Sequence, residues 1–141
     1  MKILLILIVF TYVLFADSID HQVKIIERIF SEISINKEMK IWSDNNDILL
    51  LIKDNSNFKT VESCSDANII IIDKKKDLSS SCLEKYIFTL NYCSLSEITQ
   101  SFGALFWKKG RPNIVIIEPR IREQNIKISK TLEPYLEDKV W

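Results

Sequence analysis

The sequence predicts an α/β fold: one domain built as a three-layer sandwich on a mixed, mainly parallel sheet of about five strands, closed by a C-terminal β-hairpin and helices. Three observations predict it. Four consecutive isoleucines, Ile69 to Ile72, sit between polar residues, as in a strand covered on both faces, and such strands are usually parallel and central. Helical and strand-like segments alternate through the middle of the chain, which implies crossover connections. Two apolar runs flank Lys108-Lys109-Gly110-Arg111-Pro112, a hairpin signal.

The 141 residues open on Lys2 and an apolar run from Ile3 to Phe15, before polarity returns at Asp17 and Ser18. A short positive start and a brief apolar core read as an export signal, and the run is shorter than the roughly 20 residues a spanning helix needs. Residues 1–16 are therefore expected to be a signal peptide and 17–141 the α/β domain. Ala16 suits cleavage but Leu14 does not, so retention as an N-terminal anchor is the rival outcome. No cysteine near Ala16 offers a lipid attachment site. After cleavage no stable membrane span is expected.

Without Lys2 the chain carries 18 basic and 19 acidic residues. That balance gives no basis for binding nucleic acid or an anionic membrane. Two glycines, three prolines and 47% hydrophobic residues indicate packed, regular structure.

Ile19, Val23, Ile26, Phe30 and Ile33 recur on one helical face, predicting a core-facing helix from about Ile19 to Ile33, capped by Asp17 or Ser18. Lys40 to Ser43 and Ile48 to Ile52 read as short strands, with Asp44 to Asp47 as the turn between them. Phe58 to Ser63 reads as a short helix and Asn68 to Asp73 as the central strand, with Lys74 to Asp77 as its exit loop. Leu78 to Lys85 reads as a helix, Tyr86 to Leu90 as a strand and Leu95 to Ser101 as a helical turn. Phe102 to Trp107 and Asn113 to Ile117 are the hairpin strands; Gly110 supplies the turn, and Pro112 is confined to the start or edge of a ladder. Pro119 suits a helix start, with the helix reaching Gln124 or Asn125. Ser129 is expected to cap a last helix through Lys139.

Cys64 precedes the Asn68 strand and Cys82 precedes the Tyr86 strand, whereas Cys93 follows it. If those strands are parallel, Cys64 and Cys82 share the N-terminal edge of the sheet, and Cys64–Cys82 is the preferred disulfide. It requires Cα atoms within about 7 Å, and closing its loop is worth roughly 3 kcal/mol. The alternative is three buried thiols. No cysteine pair has the spacing of a zinc knuckle or a thioredoxin-like redox site.

No catalytic set is legible. His21 is the only histidine, and a structural or solvent-facing role is expected for it rather than catalysis or metal binding. Two glycines cannot build a phosphate-binding loop. Glu137 and Asp138 are adjacent on a helix and point apart. The expectation is a protein that is not an enzyme, with no cofactor and no metal. Trp107, Lys108, Lys109, Arg111 and Asn113 are instead the candidate residues for a partner or an anionic ligand. The bland reading of them is a solvated tip with Trp107 packed in the core. Tyr135 is read as a packing residue, and Trp141 is ambiguous.

From Gly103 to Tyr135 the sequence resembles the closing segment of YfiR-like periplasmic proteins: a glycine opening an apolar strand, a hairpin, a second strand and helix, then Ile126-x-Ile128-Ser129-x-x-Leu132. The Ile69 to Asp73 strand, with Cys64, Ser65 and Asp66 nearby, is similar to that family's strand after a Cys-Asp pair. The family's Trp-Pro after the first helix is absent; Ile41-Trp42-Ser43 stands in its place. The resemblance implies an α/β sandwich that often dimerises, sits in the periplasm and restrains a membrane signalling protein such as a diguanylate cyclase, with disulfides stabilising the repressing form. The expected function is thus an exported regulatory or sensory protein that binds the outer domain of a diguanylate cyclase or histidine kinase. The alternatives are an accessory subunit of an envelope assembly and a small anionic-ligand binding domain.

Overall fold

The computed structural model describes residues 18–55, 57–74 and 77–141, so the expected signal peptide lies outside the described residues. Among them, no helix is long and apolar enough to cross a membrane.

Helix α1 covers residues 18–31 of the described chain; its predicted stripe is buried at Val23, Ile26 and Phe30, with Ile29 buried beside them. Ile33, expected as its last residue, begins strand β1 (Ile33–Ser34) instead. The C-terminal segment captures the chain there. The Ser129 amide donates to the Glu32 carbonyl at 2.9 Å, the Ser129 hydroxyl donates to the Glu32 carboxylate, and β1 pairs antiparallel with β8 (Lys127–Ile128).

Strand β2 (Lys40–Ser43) forms as predicted. The strand expected at Ile48 to Ile52 is helix α2 (Asn46–Asn55). Asn45 Oδ1 accepts from the amides of Asp47 at 3.0 Å and Ile48 at 3.3 Å, so the Asp-Asn-Asn-Asp stretch is a helix cap rather than a turn. Ile48 and Ile52, four apart, are buried while Leu50 is exposed, a helical pattern hidden inside a continuous apolar run. Phe58 to Ser63, read as a helix, holds the two-residue edge strand β3 (Lys59–Thr60), parallel to β2; the following Val61 amide bonds the Ile41 carbonyl.

A 3-10 turn (Cys64–Asp66) leads into β4 (Ile69–Ile72). All four isoleucines are fully buried: Ile69 and Ile71 pack in the cluster containing α1 and α2 residues, Ile70 and Ile72 with Cys82 and Ile87 on the other face. That two-sided burial is what four β-branched residues in succession fit. Helix α3 (Ser80–Leu83) is shorter than predicted, followed by β5 (Tyr86–Thr89). Helix α4 (Tyr92–Glu97) starts three residues before the expected helical turn because Asn91 Oδ1 accepts from the Cys93 amide at 2.9 Å. Ser101, expected to end that turn, opens β6 (Ser101–Lys108).

The hairpin continues through β7 (Arg111–Ile117) into α5 (Glu118–Glu123), with Pro119 in its first turn. The final helix expected from Ser129 through Lys139 is a 3-10 turn (Lys130–Tyr135) containing Pro134. Beyond it β9 (Leu136–Glu137) pairs with β7. Ser129 makes no side-chain cap; its hydroxyl is engaged by Glu32. Sheet order is β3-β2-β4-β5-β6-β7-β9, parallel at every pair except β6–β7. The five longer strands are five of the six the sequence predicts, the sixth being α2, and two-residue strands extend both edges.

Cys64 and Cys82 are disulfide-bonded with Cα atoms 5.6 Å apart. The bond joins the turn before β4 to the helix before β5, where parallel strands bring both segments to one edge. Cys93 is free and exposed.

Candidate functional site

The five candidate residues lie on a ribbon that outruns the sheet. On the β5 side β6 is paired only as far as Ala104, and β9 pairs β7 only at Ile116 and Ile117, so the stretch from Leu105 to Val115 is two-stranded. Its turn is Lys109 and Gly110, with φ of 54° and 74°. Two successive left-handed residues match the twist of a two-residue hairpin. Arg111 and Pro112, expected within the turn, belong to the ladder opposite Lys108 and Trp107. The Trp107–Pro112 position is the second pair from the turn, a non-hydrogen-bonded position, so the missing proline N–H costs no ladder bond.

The register divides the candidate set. Trp107 and Pro112 share one face of the ribbon; Lys108, Arg111 and Asn113 share the other, with Lys109 at the apex. Trp107 is not packed in the core: it is 41% exposed, and its ring meets the exposed His21 ring edge-on at 6.2 Å. Asn113 Nδ2 donates to the Arg111 carbonyl at 3.0 Å. Among the described residues no acid pairs with Lys108, Lys109 or Arg111. Lys108 and Arg111 stand directly opposite, a like-charge juxtaposition that destabilises a hairpin by a few tenths of a kcal/mol.

Beside the ribbon lies a recess of about 550 Å³ lined by Tyr92, Phe106, Trp107, Lys108, Val115, Glu137 and Trp141. The Tyr92 ring meets Phe106 at 5.1 Å, and its hydroxyl accepts from the Trp141 amide at 2.9 Å and donates to the Trp141 carbonyl at 3.2 Å. Lys139 Nζ stands 4.1 Å from the Trp141 ring centre. Trp141 nevertheless stays exposed, and Tyr135, read as a packing residue, is 39% exposed.

Two residues at the ribbon base escape sequence reasoning. Arg120 donates to the Leu95 carbonyl at 2.7 Å and to the Ser101 carbonyl at 2.9 Å, with the Ser101 hydroxyl at 3.3 Å. It fastens α5 to the end of α4 and the start of β6, and partial burial lowers its pKa. Nothing in the sequence separates it from Arg122, which is exposed and pairs with Glu118 at 2.8 Å. Gly103, which the sequence marks only as a glycine opening an apolar strand, is the second, because the sequence does not show how closely its neighbours approach. A Cβ there would stand 2.7 Å from the Val115 carbonyl oxygen and 3.2 Å from the Phe88 ring.

Among the described residues there is no group of three side chains fit to hold a metal. Comparison with protein-family models, curated proteins and solved structures finds no match to this chain.

Proposed function

We propose that this protein is an exported, non-enzymatic regulator that docks its β6–β7 ribbon tip onto an acidic surface of the outer domain of a membrane signalling protein. The observation that carries this reading is the tip itself: three exposed cations without acidic partners among the described residues, two of them directly opposed. An acidic partner relieves that repulsion on docking, and electrostatic complementarity of this kind supplies association rate and specificity. The leader-like start of the sequence and a disulfide, which persists in oxidising compartments, support a periplasmic location. The resemblance to YfiR-like proteins supports a cyclase or histidine kinase as the partner class, and a homodimer as the form that acts.

The small-anion reading is weaker, because Trp107 and Lys108 line the recess beside the ribbon together with the acidic Glu137, while Lys109, Arg111 and Asn113 do not line it. The test is capture from detergent-solubilised membranes by the native protein and by a Lys109→Glu/Arg111→Glu variant. Recovery of a signalling protein by the native chain and its loss with the variant supports the proposal. Equal recovery by both moves the docking surface elsewhere. Stoichiometric capture of a large envelope assembly favours the accessory-subunit alternative.

A further inference from the structure

A second concavity, of about 520 Å³, lies between α1 and the 3-10 turn that follows Ser129. Its floor is hydrocarbon: Ile25, Ile29, Ile114 and Leu132. Its volume falls in the range, roughly 300–1,000 Å³, of small-molecule sites. Along α1 it runs from Asp20 to Ile29, a rise of about 14 Å.

Arg28 stands on its wall, and the reason its charge is available is specific. Glu32, four residues on, is where a helix would place its ion-pair partner. The Ser129 hydroxyl holds the Glu32 carboxylate instead. The one acid among the described lining residues, Asp20, is paired with Lys24 at 3.2 Å. Among the described residues the Arg28 guanidinium therefore has no counter-ion, beside an elongated apolar floor.

We propose that this groove binds a medium-chain fatty carboxylate, its chain lying on Ile25, Ile29, Ile114 and Leu132 and its head group on Arg28. A guanidinium holds a carboxylate through two parallel hydrogen bonds, and an alkyl chain brings no polar group onto the apolar floor. An extended peptide brings one amide per residue, each needing a partner, and the neighbouring β7 edge is one donor short at Pro112. The inference does not rest on the ribbon-tip reading, since the two surfaces carry different residues.

The experiment is calorimetric titration of the purified protein with decanoate below its micelle concentration, with decanol, and with phosphatidylglycerol vesicles. The expected result is saturable 1:1 binding of decanoate, about tenfold tighter than decanol. Arg28→Gln is expected to bring decanoate down to the decanol level and leave decanol binding unchanged; Ile25→Asp is expected to weaken both. Thermal melting of each variant checks that the fold is intact. Absence of decanoate binding, equal affinity for decanoate and decanol, or an Arg28→Gln variant that binds decanoate like the native chain overturns the proposal. So does binding to vesicles without binding to monomeric decanoate, which assigns the groove to a lipid surface.

Discussion

The Arg120 guanidinium donates to the Leu95 carbonyl at 2.7 Å, joining the first turn of α5 to α4, a helix 25 residues earlier. The same nitrogen reaches the Ser101 carbonyl, so one side chain fixes the root of the ribbon that carries the candidate site. Arg120→Met keeps most of the hydrocarbon stem but leaves both carbonyls without this donor. The expected loss is about 1–3 kcal/mol, read as a lower urea midpoint at unchanged slope. If the clasp orients the ribbon, partner capture falls with it.

Gly103→Ala is expected to destabilise by about 1–3 kcal/mol. The added methyl meets a backbone oxygen across the hairpin at 2.7 Å, and backbone in a paired ladder has little room to retreat. Denaturant unfolding checks the magnitude. A chemical shift map is expected to confine the change to Phe88, Val115 and their neighbours.

Reducing the Cys64–Cys82 bond frees a loop with a sequence separation of 18, an expected loss of roughly 3 kcal/mol. Alkylation of the native protein is expected to label Cys93 alone, which is exposed, and all three cysteines after reduction and unfolding. Midpoints measured with and without reductant check the stability change; a Cys93→Ser variant keeps it.

Glu27 is half-buried on α1, and its Oε1 is without a hydrogen-bond partner among the described residues. Burial raises its pKa, Asp20 raises it further and Lys24 opposes the shift. A carboxyl whose folded pKa exceeds its unfolded value binds more protons when folded. Its stabilising contribution is therefore present below the unfolded pKa and lost as pH rises through the folded one. Glu27→Gln is expected to flatten the stability profile over that interval and to make the protein more stable at neutral pH. Urea midpoints measured across the acid range check the sign.

The sequence by itself determined the fold class, the central strand and the hairpin. Each is a short-range pattern with one strong physical reading, as Ile69 to Ile72 suit a strand buried on both faces. The sequence left the cysteines open between a Cys64–Cys82 bond and three buried thiols, and the parallel pairing of β4 with β5 decided it by bringing Cys64 and Cys82 to one edge. It did not determine whether Ile48 to Ile52 coil or extend, because an apolar run of that length has no period of its own, and the Asn45 cap decided it. Nor did it determine the fate of Ser129, whose hydroxyl serves Glu32, 97 positions away, in place of its own turn. Only tertiary structure set Lys108 opposite Arg111 and put Asn113 on their face of the ribbon, away from Trp107, because the ladder register decides which residues share a face. Only tertiary structure, by drawing Glu32 to the C-terminal segment, left Arg28 beside an apolar groove with no counter-ion among the described residues.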